Sequence, residues 1–236
     1  MPIHYDPARM VDLRSRQVNP PPAIGQNGKP KSRYATAKGK VVERKPETVR
    51  GIVVHQTAVE FGVSKGQVKA AGGDADMAKY VRLMGIPAHA IASQTGKFVV
   101  HCPLSWYAYH GHGFNEYSLG LEMEACLPGL KGGKTWNGKP GTVITPEFIA
   151  SCRAALGYLY EEGRNAGMPI EFVWAHRQST AKPSDPGQEL WEAVVIDFGV
   201  KELKLKPQYD LVLKDRSGNS GKKIPLEWDP HGVGHY

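Results

Sequence analysis

The sequence predicts an α/β domain in which a central mixed β-sheet is flanked by helices. Short β-branched runs alternate along the chain with stretches of helical periodicity. At 236 residues the chain is long enough to bury a full core as one domain with extensions. No internal repeat breaks this organisation.

Strand-like segments fall at residues 51–54, 88–92, 98–101, 118–123 and 171–174, and Gln94-Thr95-Gly96-Lys97 reads as a hairpin turn between the second and third. The clearest helix has Thr145 as N-cap and Pro146 at its first position. Phe148, Ile149, Cys152, Ala155, Leu156, Leu159 and Tyr160 then keep to one face, until Gly163, Gly167 and Pro169 end it. A second helix is expected to start at Asp185-Pro186-Gly187 and to carry Leu190, Trp191, Val194 and Val195. A third covers residues 75–83.

Residues 1–47 read as a basic extension with loop chemistry at Asn19-Pro20-Pro21-Pro22 and at residues 25–30. The main domain is placed at residues 48–199. Beyond it, residues 203–206 and 209–214 alternate as half-exposed strands do, and residues 200–236 are expected to pack on the main domain.

Bulk properties narrow the function. Hydrophobic residues make up 41% and charged residues 22%, as in an ordinary globular protein, and no apolar stretch is long enough to span a bilayer. Met1-Pro2-Ile3-His4-Tyr5-Asp6 lacks a basic region followed by an apolar core, so synthesis without a secretory signal is expected. Cys102, Cys126 and Cys152 form no CxxC pair, and Cys152 reads as a small buried hydrophobe. The net charge of +7 points to a polyanion: nucleic acid, a membrane surface or an acidic cell wall. With no interleaved aromatic and basic motif and no Cys/His finger, nucleic acid is not the expected partner.

The candidate site rests on His55, His176 and Asp185. His55 ends a buried strand, His176 follows another, and Asp185 lies nine positions later. Two imidazoles and a carboxylate can fill three corners of a zinc tetrahedron and leave the fourth for water. Singly each has a plainer reading, Asp185 above all, since an Asp before Pro is a good N-cap.

Four motifs occur in one order: Val53-Val54-His55-Gln56-Thr57, Ser118-Leu119-Gly120-Leu121-Glu122, Ala175-His176-Arg177-Gln178-Ser179 and Ser184-Asp185-Pro186-Gly187. This pattern resembles the zinc-dependent N-acetylmuramoyl-L-alanine amidase family, whose fold is shared by phage amidase lysozymes, cytoplasmic muropeptide amidases and animal peptidoglycan recognition proteins. The resemblance covers roughly residues 49–195. It implies one zinc ion held by His55, His176 and Asp185, and Glu122 as the catalytic carboxylate, with Glu124 its rival two residues on. It makes Lys182 the oxyanion-stabilising candidate, although Pro183 occupies the position where cytoplasmic members carry their lysine; Arg177 is the alternative. Ala88 stands where some phage members have a catalytic tyrosine. His110 and Asn115 match a substrate-lining loop, while Trp106, Tyr107 and Tyr109 either stack on sugars or cover the core.

The expected activity is cleavage of the amide between the lactyl group of N-acetylmuramic acid and L-alanine. A phage endolysin is the favoured role. A cytoplasmic muropeptide-recycling amidase and a non-catalytic peptidoglycan-binding module are the alternatives.

Overall fold

The computed structural model describes residues 4–17 and 33–234. The proline- and glycine-rich turns expected at residues 19–30 lie outside the described residues. One seven-stranded sheet organises the molecule, in the order β1-β6-β5-β7-β4-β8-β9. The strands are β1 (Met10–Asp12), β4 (Gly51–Gln56), β5 (Ala90–Ala92), β6 (Phe98–Val100), β7 (Ser118–Met123), β8 (Phe172–Ala175) and β9 (Lys206–Pro207). Strands β2 (Thr36–Ala37) and β3 (Lys40–Val41) form a separate hairpin. Strands β5, β7, β4, β8 and β9 pair in parallel, while β6 runs antiparallel to β5, so the sheet is mixed.

The two-residue period of the central strands sorts their side chains. Ile52 and Val54 on β4, Leu119, Leu121 and Met123 on β7, and Val173 and Ala175 on β8 enter the main core. There they meet Phe148, Cys152, Leu156 and Leu159 of α3 (Pro146–Asn165), whose start is capped by Thr145 Oγ1 accepting from the Phe148 amide at 3.1 Å. The alternate residues point the other way. Val53, Phe114 and Trp174 make a second cluster on that side, and His55, Gly120 and Glu122 belong to the same set of positions.

Helix α2 (Ala75–Leu83) is capped by Asp74 and covers Ile91 and Val99 near one edge of the sheet. Helix α1 (Lys65–Ala70) has no buried residue, so hydrophobic periodicity could not reveal it; its signature is the Ser64/Gln67 capping box. The helix expected from Asp185 begins instead at Gln188, as α4 (Gln188–Leu190), and widens into a π-helix at Trp191–Val200. Its N-cap is Gly187, with φ +94° and a Cβ position only 2.7 Å from the Pro128 carbonyl oxygen. Asp185 is not a helix cap.

Segments from both ends of the sequence join the sheet. β1 pairs with β6, and Arg9 Nη1 donates to the Gly96 carbonyl at 2.9 Å. On the other side only Lys206–Pro207 forms a strand, because Pro207 has no amide hydrogen with which to extend the ladder. The strand expected at residues 209–214 is absent. Leu211 and Leu213 do pack inward, but the backbone there is held by scattered bonds in place of a ladder: Gln178 Nε2 donates to the carbonyls of Gln208 (2.7 Å) and Leu211 (2.8 Å), and the Leu213 amide donates to the Gln178 carbonyl at 2.7 Å. All three cysteines are free, and Cys152 is buried as expected. Among the described residues no helix is long and apolar enough to cross a membrane.

Gly51 opens β4 where a Cβ would lie 2.6 Å from the Phe172 carbonyl oxygen and 2.5 Å from the Trp174 ring. Gly51→Ala is expected to lower the unfolding free energy by about 1–3 kcal/mol through overpacking against an immovable backbone. Urea denaturation would measure this, and a midpoint equal to wild type would contradict the packing described.

Candidate metal centre

The centre is made by register. His55 on β4 lies directly beside Glu122 on β7, while Val54 pairs with Ala175, the last residue of β8. His176 is the next residue and so emerges level with His55. Three chemically active side chains thus share one level at the carboxyl ends of three adjacent parallel strands, the usual place for a site in such sheets. Asp185 arrives from the loop after β8 and is fixed by Gln56, whose amide donates to Asp185 Oδ1 at 2.9 Å. The Gln56 side chain also donates to the carbonyls of Leu127 and Ser184, tying both loops to the end of β4.

The structure brings His55, His176 and Asp185 together: one donor atom from each lies within 4.8 Å of the others, and all three residues are buried. Asp185 Oδ2 is 2.9 Å from His176 Nδ1 and 3.2 Å from Lys182 Nζ. Burial alone would raise the Asp185 pKa, but His176, Lys182 and the Gln56 amide outweigh it and hold the carboxyl below its usual range. Burial and the neighbouring His176 keep His55 well below the ordinary histidine range, hence neutral. His55 Nδ1 and His176 Nε2 are buried and lack hydrogen-bond partners among the described residues. Two imidazoles, each with a buried nitrogen that has no hydrogen-bond partner among the described residues, and one carboxylate are a donor set that fits a zinc ion.

Glu122 faces this group, with Oε1 3.9 Å from His55 Nδ1 and Oε2 buried without a partner. Burial, and then the Asp185 charge, push its pKa up to about 8. Glu124, the rival, is committed elsewhere. It pairs with Lys79 at 2.9 Å and accepts from the amides of Phe61 and Gln94 and from Ser93 Oγ. Lys182 reaches the centre despite its displaced position, and its side chain stays 56% exposed at the rim. Asp185 and Glu122 raise its pKa against the effect of burial. Arg177 does not reach it: the guanidinium lies 4.9 Å over the Trp228 ring and donates to the Pro183 carbonyl.

His110 and Asn115, expected to line a substrate groove, are buried, and contacts within the protein engage both His110 nitrogens and Asn115 Oδ1. Asn115 Oδ1 accepts from the Gly111 amide at 2.6 Å, and His110 Nδ1 is 3.2 Å from His55 Nε2. Trp106 belongs to a small core cluster with Tyr34 and Val41, whereas Tyr109 is half-buried under the Arg216 guanidinium at 4.5 Å.

Sequence reasoning missed Trp136 and gave His112 no place beside His176. Trp136 is 66% exposed yet held by its indole N–H, which donates to the Ala58 carbonyl at 3.1 Å. With Gln56, Ala58, Lys182, Pro183, Ser184 and Asp185 it lines a cleft of about 300 Å³, which one of the candidate ligands, Asp185, thus borders. Ala58 bears a positive φ of +59°, a strained conformation at the cleft wall. His112, at φ +50°, stacks on His176 with ring centroids 5.6 Å apart. No motif marks Trp136, a lone tryptophan between Lys134 and Lys139 that reads as surface; His112 lies in the His-Gly-His-Gly stretch, where the sequence offers only a loosely held pair with His110.

Among solved structures the chain is similar to the endolysin N-acetylmuramoyl-L-alanine amidase LysCS from Clostridium intestinale URNW, at 16% identity and a TM-score of 0.45, over 86% of this chain and 99% of that one. It is also similar to peptidoglycan recognition protein LE in complex with tracheal cytotoxin (16%, 0.45, 80% and 93%) and to bumblebee PGRP-SA (12%, 0.41, 75% and 88%). A comparison with curated protein sequences finds no match. Residues 45–188, more than half of the chain, match the N-acetylmuramoyl-L-alanine amidase family, and the chain belongs to that family.

Proposed function

We propose that this protein is a zinc-dependent peptidoglycan amidase that hydrolyses the amide between the lactyl group of N-acetylmuramic acid and the L-alanine of the stem peptide. One observation carries the reading: three donor atoms within 4.8 Å, from residues 55, 176 and 185, beside a partly buried carboxylate whose Oε2 is buried and has no partner among the described residues. A zinc ion held by His55, His176 and Asp185 would supply Lewis-acid polarisation and a water acidified to a pKa near 7.

The chain's own groups do the rest. Glu122 takes the proton of the attacking water and returns it to the departing amine of L-alanine. An elevated pKa suits both duties, since the same oxygen must hold a proton between the two steps. The Lys182 ammonium stands at the rim, where charge develops on the carbonyl oxygen. Trp136 offers an aromatic face to substrate within the same cleft. The formal charge of +7 supports a wall-lytic, endolysin-type role against an anionic polymer.

Mass spectrometry of purified sacculi tests the reaction and the bond together. Wild type is expected to release stem peptides beginning with L-alanine, and Glu122→Ala to slow release by about 10²–10⁴-fold. Chelation should abolish release and added zinc restore it. Binding without release would make the protein a recognition module; cleavage confined to soluble muropeptides would make it a recycling enzyme. In either case the endolysin assignment falls.

Trp136→Ala is expected to raise KM by about two- to tenfold with little change in kcat, the mark of lost stacking in ground and transition states alike. An unchanged KM would remove Trp136 from the substrate site.

Glu122 also sets a pH signature in the metal-free protein. In the unfolded chain it ionises in the ordinary carboxylate range, but in the fold only near about 8, so folding favours its protonated form. That stabilisation is complete at low pH and is lost as pH rises through about 8. Glu122→Gln, permanently neutral, should therefore raise Tm above wild type at about pH 8–9, with the gap closing near about pH 4. A gap independent of pH would contradict the placement of Glu122.

A further inference from the structure

Every hydrogen-bonding atom around His110 can be accounted for, and the accounting fixes a proton on His55. His110 Nε2 faces two oxygens, the Ser118 carbonyl at 3.3 Å and Ser118 Oγ at 3.4 Å. The carbonyl can only accept. The hydroxyl's one proton is already donated to the Phe114 carbonyl at 2.7 Å, so Oγ faces His110 as an acceptor too. His110 must therefore carry its proton on Nε2. A second proton, on Nδ1, would place a buried imidazolium beside the Arg44 guanidinium, which meets it at the same Ser118 carbonyl, so Nδ1 is a bare lone pair.

That lone pair lies 3.2 Å from His55 Nε2, and the two rings meet edge to face at 79°. Only a donor satisfies it, so His55 holds its proton on Nε2. His55 Nδ1 is then unprotonated, and it is the atom that is buried without a partner on the side of Glu122. The sheet is cut to admit this arrangement. A Cβ at Gly120 would come within 2.7 Å of His110 Cγ, so only glycine at that point of β7 leaves room for the ring. The loop bearing His110 is held in turn by Asn115, through its bond to the Gly111 amide.

We propose that His110 is a positioning residue: by accepting from His55 Nε2–H it locks the His55 tautomer that presents a bare Nδ1 to a metal ion. The inference deepens the zinc amidase reading and rests on it for the identity of the ion. Metal-bound histidines commonly donate the N–H of their second nitrogen to a carboxylate, a carbonyl or water. Here a second imidazole does so, and it can do so only while its own proton is directed at Ser118.

Long-range ¹⁵N–¹H NMR of the imidazoles in the metal-free protein at neutral pH reads the tautomer directly. Wild type is expected to show His55 as the Nε2–H form. In His110→Ala the Nδ1–H form should appear, and zinc dissociation, followed by competition with a chromophoric chelator, should weaken by about 10–100-fold. His110→Gln, which offers an amide oxygen to His55, should recover part of both. A wild-type His55 protonated on Nδ1 would overturn the proposal, and this measurement stands even if the variants do not fold. So would a folded His110→Ala with unchanged tautomer and zinc affinity. Neither readout depends on hydrolysis: if wild type binds zinc in the predicted tautomer but releases no peptide, the amidase reading fails and the role of His110 survives.

Discussion

The parallel register of β4 with β7 and β8 is the constraint from which the site follows. His55 stands opposite Glu122 because Gly51 stands opposite Ser118, and His176 emerges level with them because Val54 stands opposite Ala175. A slip of one residue in either pairing would turn a ligand or the carboxylate into the apolar core. The burial pattern makes such a slip expensive, since Ile52, Val54, Leu119, Leu121 and Val173 would all leave the face covered by α3. Core packing and site geometry are thus one requirement.

The fourth participant is positioned differently. Asp185 sits in a loop, and loops place side chains less accurately than strands unless they are tied down. Here the tie is Gln56, the residue after His55, which uses its amide for the Asp185 carboxylate and its side chain for the Ser184 and Leu127 carbonyls. Gln178 does similar work after His176, with Oε1 accepting from the Ala175 amide and Nε2 holding the chain that follows β9. Two buried glutamines fasten the irregular parts of the site to the regular ones. Of the residues beyond 199, Leu211 and Leu213 pack on the site face against Val53, Phe114 and Trp174, while Leu203, Leu205, Ile224 and Trp228 join the main core.

Much of this was legible in the sequence, for identifiable reasons. The strands at residues 118–123 and the helix at Pro146–Asn165 announce themselves through β-branched or periodic apolar residues and a Thr-Pro start, and the candidate ligands through their place at strand ends. Helix α1 was invisible because nothing on it is buried. Asp185 carried a misleading signal: Asp-Pro before a helical run reads as a cap, and only the proximity of Gln56, His176 and Lys182 reveals another use of the carboxylate. His110 and Asn115 were expected on a substrate-lining loop; both are buried, and whether a loop side chain faces solvent or core is not encoded in a His-Gly-His-Gly pattern. Trp136 could not be found at all, since its meaning comes from the Ala58 carbonyl far away in sequence.

The account depends most on one ion shared by His55, His176 and Asp185. Anomalous diffraction from crystals of zinc-loaded protein, recorded on both sides of the zinc absorption edge, examines this directly. The expected result is a single peak within about 2.0–2.2 Å of one nitrogen from each histidine and one Asp185 oxygen, with room for one further ligand. A peak held by other side chains, or none at this position in protein that retains zinc, would contradict it.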